Sequence, residues 1–379
     1  MMAPLKYLLY FLAWLLSAVT TGIYVYGIIK FRGSYSLLRK LEDGEVRRPV
    51  EVVVAARNEE RRIGGLMRSL SWQPLREVVL VDDSSSDGTV RKAEEELKGV
   101  SLKVIRADGP PPGWLPKPHA LELGASRVSL SSSMLFLDAD VRGDLHDVIV
   151  TASTVRPGEL VAFEPRFVCR TSLCRLTQPL LTSIVHGFFG FDRALNPSDR
   201  HSMMFGCCWS IDPYSFWESG GMAQVRDSIV EDRTLAVKLK ERGFRLRPYD
   251  ARGSLLVESW GTARDFVNLI RRVSYAVANV MSLPSYLAFS VGVTILMVWP
   301  LVMIPLAALG HPLLALGPAI TYAAQAAFTA MGQRLEGIRG PWFLASPLAG
   351  ALVAYGFVSA RFRPISWKGR SLRPSVTGT

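Results

Sequence analysis

Cysteine is scarce in this chain: 379 residues hold four, at Cys169, Cys174, Cys207 and Cys208, with no Cys-x-x-Cys pair. That spacing carries no redox or metal motif, and in a cytoplasmic domain all four are expected to be reduced, buried small hydrophobes. Histidine is sparse as well. His119, His186 and His201 lack the clustered spacing of metal ligands and read as packing or loop residues. There is no internal repeat, and the Ser-rich run Ser129–Ser133 is too short to be a low-complexity tract. Acid is nearly missing from the two ends. Outside Phe31–Asp265 stand 11 Lys and Arg but one acid, Glu336, whereas inside that range 33 basic residues face 32 acidic ones. The formal charge of +11 is therefore no nucleic-acid footprint; it sits at the margins of a nearly neutral domain.

Charge of either sign is also missing from three long stretches, of 23 residues between Lys6 and Lys30, 61 residues over 273–333 and 21 residues over 340–360. A helix needs roughly 20 apolar residues to cross a bilayer. Tyr7–Ile29 fits one uncleaved span, being longer than the apolar core of a signal peptide. Pro and Gly punctuation suggests further spans near Tyr286–Leu309, Pro312–Met331 and Pro341–Ala360. Phe266–Leu283, with Arg271 and Arg272 among apolar residues, reads as an interfacial amphipathic helix. Lys30, Arg32, Arg39, Lys40, Arg47 and Arg48 follow the first span, so the positive-inside rule places the N-terminus outside and the globular domain in the cytoplasm. Three later crossings would leave the basic tail 361–379 outside, against the same rule. Either one Pro-interrupted segment is re-entrant or the tail breaks the rule.

Between the margins the pattern alternates. Apolar runs at Glu51–Ala56, Glu77–Val81, Leu102–Ile105 and Met134–Leu137 predict strands, and Glu59–Leu70, Thr89–Lys98 and Lys117–Val128 predict helices. Such alternation implies a mostly parallel sheet, whose ligands bind beyond the carboxyl ends of the strands. Three polar motifs stand at those ends: Ala55-Ala56-Arg57-Asn58-Glu59-Glu60, then Val81-Asp82-Asp83-Ser84-Ser85-Ser86-Asp87-Gly88, then Phe136-Leu137-Asp138-Ala139-Asp140. The first exposes backbone N–H groups that suit a nucleotide, or alone is an ordinary Asn-capped helix start. The second offers carboxylates to a base N–H and ribose hydroxyls, or is a tight Asp/Ser/Gly turn, against which its adjacent acids argue mildly. In the third, residues i and i+2 of a strand share a face, and two hard oxygen ligands there suit Mg²⁺ or Mn²⁺ shared with a diphosphate.

The order and spacing of the three motifs resemble glycosyltransferase family 2 over roughly Val50 to Leu246. The resemblance extends to Phe205-Gly206-Cys207-Cys208-Trp209 followed by Gly220-Gly221, and to Ile229-Val230-Glu231-Asp232. Pro112-Gly113-Trp114-Leu115-Pro116-Lys117-Pro118-His119-Ala120 and Ile365-Ser366-Trp367-Lys368-Gly369-Arg370 are similar to the carotenoid, hopanoid and lipid glycosyltransferase branch. The resemblance implies a GT-A nucleotide-binding domain, α/β with a mostly parallel mixed sheet, over 31–265. Flanking it would be a transmembrane helix at 7–29, the interfacial helix at 266–283 and a region of about three spans at 286–360.

The resemblance also implies roles. Ala56, Asn58, Glu59 and Asp83 would hold the nucleoside, Lys117 would approach the donor phosphates, and Asp138 would touch ribose or sugar. Asp140, with Asp138, would bind Mg²⁺ or Mn²⁺. Asp232 would be the general base of an inverting displacement, with Glu231 a helper or helix-capping acid. The expected donor is a nucleotide sugar, a UDP-hexose, and the expected acceptor a membrane lipid, a glycolipid or isoprenoid; a polyprenyl phosphate is the alternative. The chain departs from the pattern at Pro116, where a glycine is usual, and at Met222, where histidine is frequent. The Gln/Arg-x-x-Arg-Trp motif of processive synthases is degenerate at Arg271-Arg272-Val273-Ser274-Tyr275, which argues for single transfer. A non-catalytic scaffold or small transporter is the reading from another class. Against it stand the intact Asp138, Asp140 and Asp232 and the lack of charged residues within the spans that would mark an ion path.

Overall fold

The computed structural model describes residues 2–308, 312–363, 365–367 and 370–372. Leu309, His311 and, in the basic tail, Lys368 and Arg373 lie outside the described residues. In chain order the elements begin with α1 (Met2–Tyr35), β1 (Arg39–Lys40), β2 (Val50–Ala56), α2 (Glu60–Leu70), β3 (Glu77–Asp82), α3 (Thr89–Glu96), β4 (Ser101–Arg106), α4 (Pro116–Ala125) and β5 (Ser133–Asp138). Then come β6 (Val141–Arg142), α5 (His146–Ala152), β7 (Glu159–Glu164), β8 (Arg166–Val168), α6 (Ser172–Phe189), α7 (Phe191–Ala194), β9 (Cys208–Ile211), α8 (Pro213–Glu218), α9 (Glu231–Glu241), β10 (Arg245–Asp250) and β11 (Leu256–Glu258). The chain closes through α10 (Ala263–Val280), α11 (Leu283–Ala308), α12 (Pro312–Leu335), α13 (Ser346–Ser359), β12 (Ile365–Trp367) and β13 (Arg370–Leu372). Two compact units emerge, Met1–Ser36 with Cys169–Gly190 and Ser259–Ile365, and Leu37–Val168 with Phe191–Glu258 and the tail from Ser366.

The second unit is built on an eight-stranded sheet in the order β1-β10-β7-β9-β5-β2-β3-β4. β5, β2, β3 and β4 run parallel, as the alternation of strands and helices predicts, while β9 is antiparallel to both neighbours. Val52, Val53 and Val54 are all buried because helices cover both faces of β2. Val50, Val52 and Val54 join Ile63, Leu66 and Val78 in the main core cluster; Val81 packs with Ala107 and Ala120 on the side of α4. Phe136 on β5 stacks on Trp209 of β9 at 3.9 Å between ring centroids. The register sets Ala55 opposite both Val81 and Asp138, so the chemistry-bearing ends of β2, β3 and β5 finish in one row.

The first unit is helical. Among the described residues four helices are long and apolar enough to cross a membrane: Tyr7–Tyr35, Leu283–Leu301, Leu313–Leu335 and Trp342–Ser359. The final stretch begins with a 3-10 turn, Trp342–Ala345, before α13. Leu8, Phe11, Leu15 and Val19 on α1 are exposed, as a lipid-facing surface requires. Facing inward, Trp299 Nε1 donates to Ser17 Oγ (3.0 Å), the Thr21 and Thr321 hydroxyls meet at 3.0 Å, and Gln325 Nε2 donates to the Met297 carbonyl (3.0 Å). These bonds join α1, α11 and α12 where hydrocarbon would leave such groups unsatisfied. α6, which falls inside the range 31–265, clusters here with α1 and α12 rather than with the sheet. In α10, Arg271 Nε donates to Ser359 Oγ (2.7 Å) on α13, which ties this arginine to a neighbouring helix.

One expectation fails. Cys169 and Cys174 are joined by a disulfide, with Cα atoms 5.2 Å apart. The five-residue separation brings the pair together because Thr171 caps α6, its hydroxyl accepting from the Cys174 amide at 3.2 Å and turning the chain back. Cys207 and Cys208 are free and buried, as read. Burial, reinforced by Asp138, pushes both thiols well above their usual range and keeps them protonated.

Candidate active site

Local backbone requirements shape the loops after β2 and β3, where the nucleoside is expected. After β2 the chain turns through Asn58 at φ 52, a left-handed conformation that Asn tolerates better than most residues. The Asn58 side chain does not reach outward. Its Oδ1 accepts from the Ser86 amide (2.9 Å), its own amide donates to Ser85 Oγ (3.0 Å), and the Glu59 amide donates to Thr89 Oγ1 (2.8 Å). The loops after β2 and β3 are thus stapled together. Ala56 ends β2 and its carbonyl accepts from the Asp83 amide at 2.9 Å. Asp83 is buried beside Arg57, whose Nη1 lies 3.7 Å from Asp83 Oδ2 and donates to the Asp83 carbonyl. An open cavity of about 510 Å³ follows the ends of β3 and β4, walled by Asp82, Ser84, Ser85, Arg106 and Asp108 among others. Asp138, Lys117 and Asp232 are not in its wall.

The residues expected to act in transfer meet where α4, β5 and α9 converge. Pro116 does not displace the lysine; it occupies the first helical turn of α4, where a missing amide proton costs nothing. Lys117 follows, and its Nζ lies 3.0 Å from Asp138 Oδ1 and 2.9 Å from Glu231 Oε1. Burial alone would lower the lysine's affinity for its proton. Asp138, Glu231 and Asp232 outweigh that and hold it firmly cationic. Glu231, expected as a helper or helix-capping acid, stands in the first turn of α9 and also pairs with the lysine.

Asp232 stands at the second position of α9, half-buried, with each carboxylate oxygen on a backbone amide: Oδ2 on Gly206 (2.9 Å) and Oδ1 on Arg233 (2.7 Å). Gly206 matters for what it lacks. A Cβ there would fall 2.6 Å from Asp232 Oδ2 and 3.0 Å from Asp232 Cβ. Gly206→Ala is expected to displace the carboxylate and lower transfer about a hundredfold, with the circular-dichroism spectrum unchanged; full activity in this variant would show that the placement of Asp232 is not critical.

Asp140 lies two residues past β5, half-buried, and its Oδ1 is enclosed without a hydrogen-bond partner. Burial, then the charges of Asp138 and Glu59, push its carboxyl up to about 6. An enclosed acceptor among like charges is what a dication would relieve. Among the described residues no group of three or more His, Cys, Asp and Glu side chains forms a ready-made cage. Mg²⁺-type sites commonly use one or two carboxylates and take their remaining ligands from substrate phosphates and water. Asp138 and Asp140 fit that kind of site.

Residues 51–141, which span β2 to β6, match the model of the Glycosyl transferase family 2. The chain carries a glycosyl transferase family 2 domain. A 4,4'-diaponeurosporenoate glycosyltransferase of Staphylococcus haemolyticus (strain JCSC1435) is 27% identical over 263 residues, covering 65% of this chain and 69% of that protein. Its namesake from Staphylococcus aureus (strain USA300) is 34% identical over 101 residues, 26% of each chain. The solved structure of the mannosyltransferase PcManGT from Pyrobaculum calidifontis, in complex with GDP-Man and Mn²⁺, aligns over 92% of this chain and 99% of that one with a TM-score of 0.51 at 17% identity. That likeness shows a GT-A fold. The protein is a glycosyltransferase, an enzyme that transfers sugar.

In this glycosyltransferase the residues predicted from sequence fall into two neighbourhoods: Ala56, Asn58, Glu59 and Asp83 around the ends of β2 and β3, and Lys117, Asp138, Glu231 and Asp232 around the head of α4, with Asp140 linked to both through the charges of Glu59 and Asp138. Three contributors were not singled out. Arg57 braces Asp83, Gly206 admits Asp232, and Glu122 holds the segment after Gly221. Only Gly206 left a signal, a glycine just ahead of a strand where a backbone or side chain approaches closely.

Proposed function

We propose that the enzyme transfers a single hexose, with inversion, from a nucleotide-sugar donor to a membrane lipid, in a reaction that depends on Mg²⁺ or Mn²⁺. The observation that carries the reading is the convergence of Lys117 with Asp138 and Glu231 beside Asp232, in a chain that also holds four apolar helices of spanning length. The name of the S. haemolyticus relative, diaponeurosporenoate glycosyltransferase, supports a lipid acceptor. The expected donor is a UDP-hexose; GDP-Man in the Pyrobaculum enzyme keeps a guanosine donor within the test.

Asp83, Glu59 and the end of β2 receive the nucleoside, and Lys117 offers its ammonium to the diphosphate. A dication held by Asp138 and Asp140 would neutralise charge building on the leaving diphosphate. Asp232 stands on the acceptor side. The acceptor oxygen forms a bond to the anomeric carbon from the face opposite the diphosphate, the sugar–phosphate bond breaks, and the acceptor's proton passes to the Asp232 carboxylate. The two backbone amides on Asp232 fix its direction before the acceptor arrives. The N-terminus is placed outside the membrane and the sheet-bearing unit in the cytoplasm, where nucleotide sugars are soluble.

The test uses the full-length protein in detergent with Mn²⁺, labelled UDP-glucose, UDP-galactose and GDP-mannose in turn, and a total lipid extract of the source organism. A labelled, chloroform-soluble product is expected. Lability of that product to mild acid would mark a polyprenyl-phosphate acceptor, and no nucleotide-sugar turnover with any donor would sink the reading in favour of a scaffold or transporter.

A further inference from the structure

Glu122 sits on the helix that carries Lys117, five residues further on, and takes no part in the carboxylate cluster. It is half-buried, and burial pushes its carboxyl above the usual range against the pull of two backbone amides, those of Met222 and Ala223. Glu122 Oε2 accepts from the Met222 amide at 2.6 Å. The amides belong to a 3-10 helix, Gly221–Val225, whose first N–H groups have no partner within the helix. A carboxylate at that end also meets the favourable end of the local dipole.

Gly220 and Gly221 lie at φ 93 and φ 57, so the approach turns through two left-handed residues. A Cβ on Gly221 would stand 2.7 Å from Glu122 Oε2. The glycine thus provides both the turn and the room for the carboxylate. Downstream the same helix takes a second hold, as the Leu115 amide donates to the Arg226 carbonyl at 2.6 Å. From the other side, Lys238 of α9 donates from Nζ to the Gln224 carbonyl, and the Ser228 and Thr234 hydroxyls meet at 2.7 Å. Segment 219–230 is therefore a bridge, tied at several points and delivering the chain directly to Glu231 and Asp232.

We propose that Glu122 is a positioning residue for sugar transfer: by holding the amides of Met222 and Ala223 it locks segment 219–230 to α4, and so sets where the acceptor meets Asp232 relative to the donor held at Lys117. The inference rests on the assignment of Asp232 to the acceptor side. It gives the enzyme one rigid helix, α4, that indexes both substrates, with Lys117 at its head for the donor and Glu122 a turn and a half later for the acceptor loop.

The experiment compares full-length wild type, Glu122→Ala and Glu122→Gln in detergent. The assay is that above, with the donor that wild type accepts and the lipid extract as acceptor. Glu122→Ala is expected to raise the KM for extract about tenfold or more while the donor KM stays within about twofold. Glu122→Gln keeps one acceptor oxygen for the Met222 amide and is expected to recover part of the loss. Hydrogen exchange is read alongside, and amides 222–230 should exchange about tenfold faster in Glu122→Ala than in wild type. Equal rises in donor and acceptor KM, or unchanged exchange over 222–230, would overturn the proposal. If Glu122→Ala does not fold, the same two readouts on Glu122→Gln decide. A wild type that glycosylates no lipid in the extract sinks the lipid-acceptor reading, whereas the exchange result bears on Glu122 alone.

Discussion

Asp232→Asn is expected to lower the turnover of the enzyme by about 10²–10⁴-fold while leaving nucleotide affinity within about twofold. The substitution is nearly isosteric, so the effect isolates the proton acceptor. Asn can still accept from the Gly206 amide through its one carbonyl oxygen, which keeps α9 seated. Its NH₂ group then faces the Arg233 amide, a donor against a donor, but that contact is exposed and water can take the amide. The measurement is kcat with the lipid extract, beside calorimetric titration with UDP or GDP in the presence of Mn²⁺ and a thermal melt. A fall of less than about tenfold would remove Asp232 from the role of base, because one well-placed general base contributes more than that. It would favour an acceptor that arrives already deprotonated, such as a phosphate.

The second large effect concerns Asp140. Asp140→Asn is expected to reduce turnover about a hundredfold or more, since metal-assisted departure of the diphosphate contributes several kcal/mol. A binding readout accompanies it. The Asp140 carboxyl is held up to about 6, through burial first and then Asp138 and Glu59. Its folded pKa lies above the ordinary 3.8, so the metal-free fold is favoured with this group protonated, and that contribution fades as pH rises through about 6. Under the proposed metal dependence Mn²⁺ would bind the deprotonated form, so its stabilisation should grow over the same interval. The gain in melting temperature from Mn²⁺ is expected to be larger at about pH 7.5 than at about pH 5, and in Asp140→Asn this pH dependence should vanish. A gain of equal size at both pH values in wild type would place the ion elsewhere.

The part of the molecule that could be read along the chain is the part made by neighbours in sequence. Strands β2, β3, β4 and β5 and helices α2, α3 and α4 each announce themselves by an apolar run or a helical period, and the parallel register then places Ala56, Asp82 and Asp138 together. The long uncharged stretches likewise marked the four helices of spanning length in the first unit. What escaped depends on contacts between distant segments. β9 is a four-residue run whose antiparallel place between β5 and β7 no local pattern dictates. α6 has an apolar face like any amphipathic helix, and only packing assigns it to α1 and α12. Gly206 meets Asp232 across 26 residues and Glu122 meets Met222 across 100, so neither could be inferred from spacing. Cys169 and Cys174 pair because a helix cap folds six residues back on themselves, a geometry that a search for Cys-x-x-Cys does not test.

The bridge that Lys117 makes between Asp138 and Glu231 has a kinetic consequence. In the resting protein the ammonium is already shared by two carboxylates, which stand in for the negative charge of the proposed donor. A diphosphate bound at Lys117 as proposed would have to exchange with those carboxylates rather than meet an idle cation, and part of its attraction would be cancelled. The same exchange works in reverse after transfer. As the spent nucleoside diphosphate loosens, Asp138 and Glu231 are at hand to reclaim the lysine, and the product leaves a site that is never electrostatically empty. Weak retention of product, rather than tight capture of donor, is what the proposed site favours, and it would keep that site from being silted up by its own leaving group.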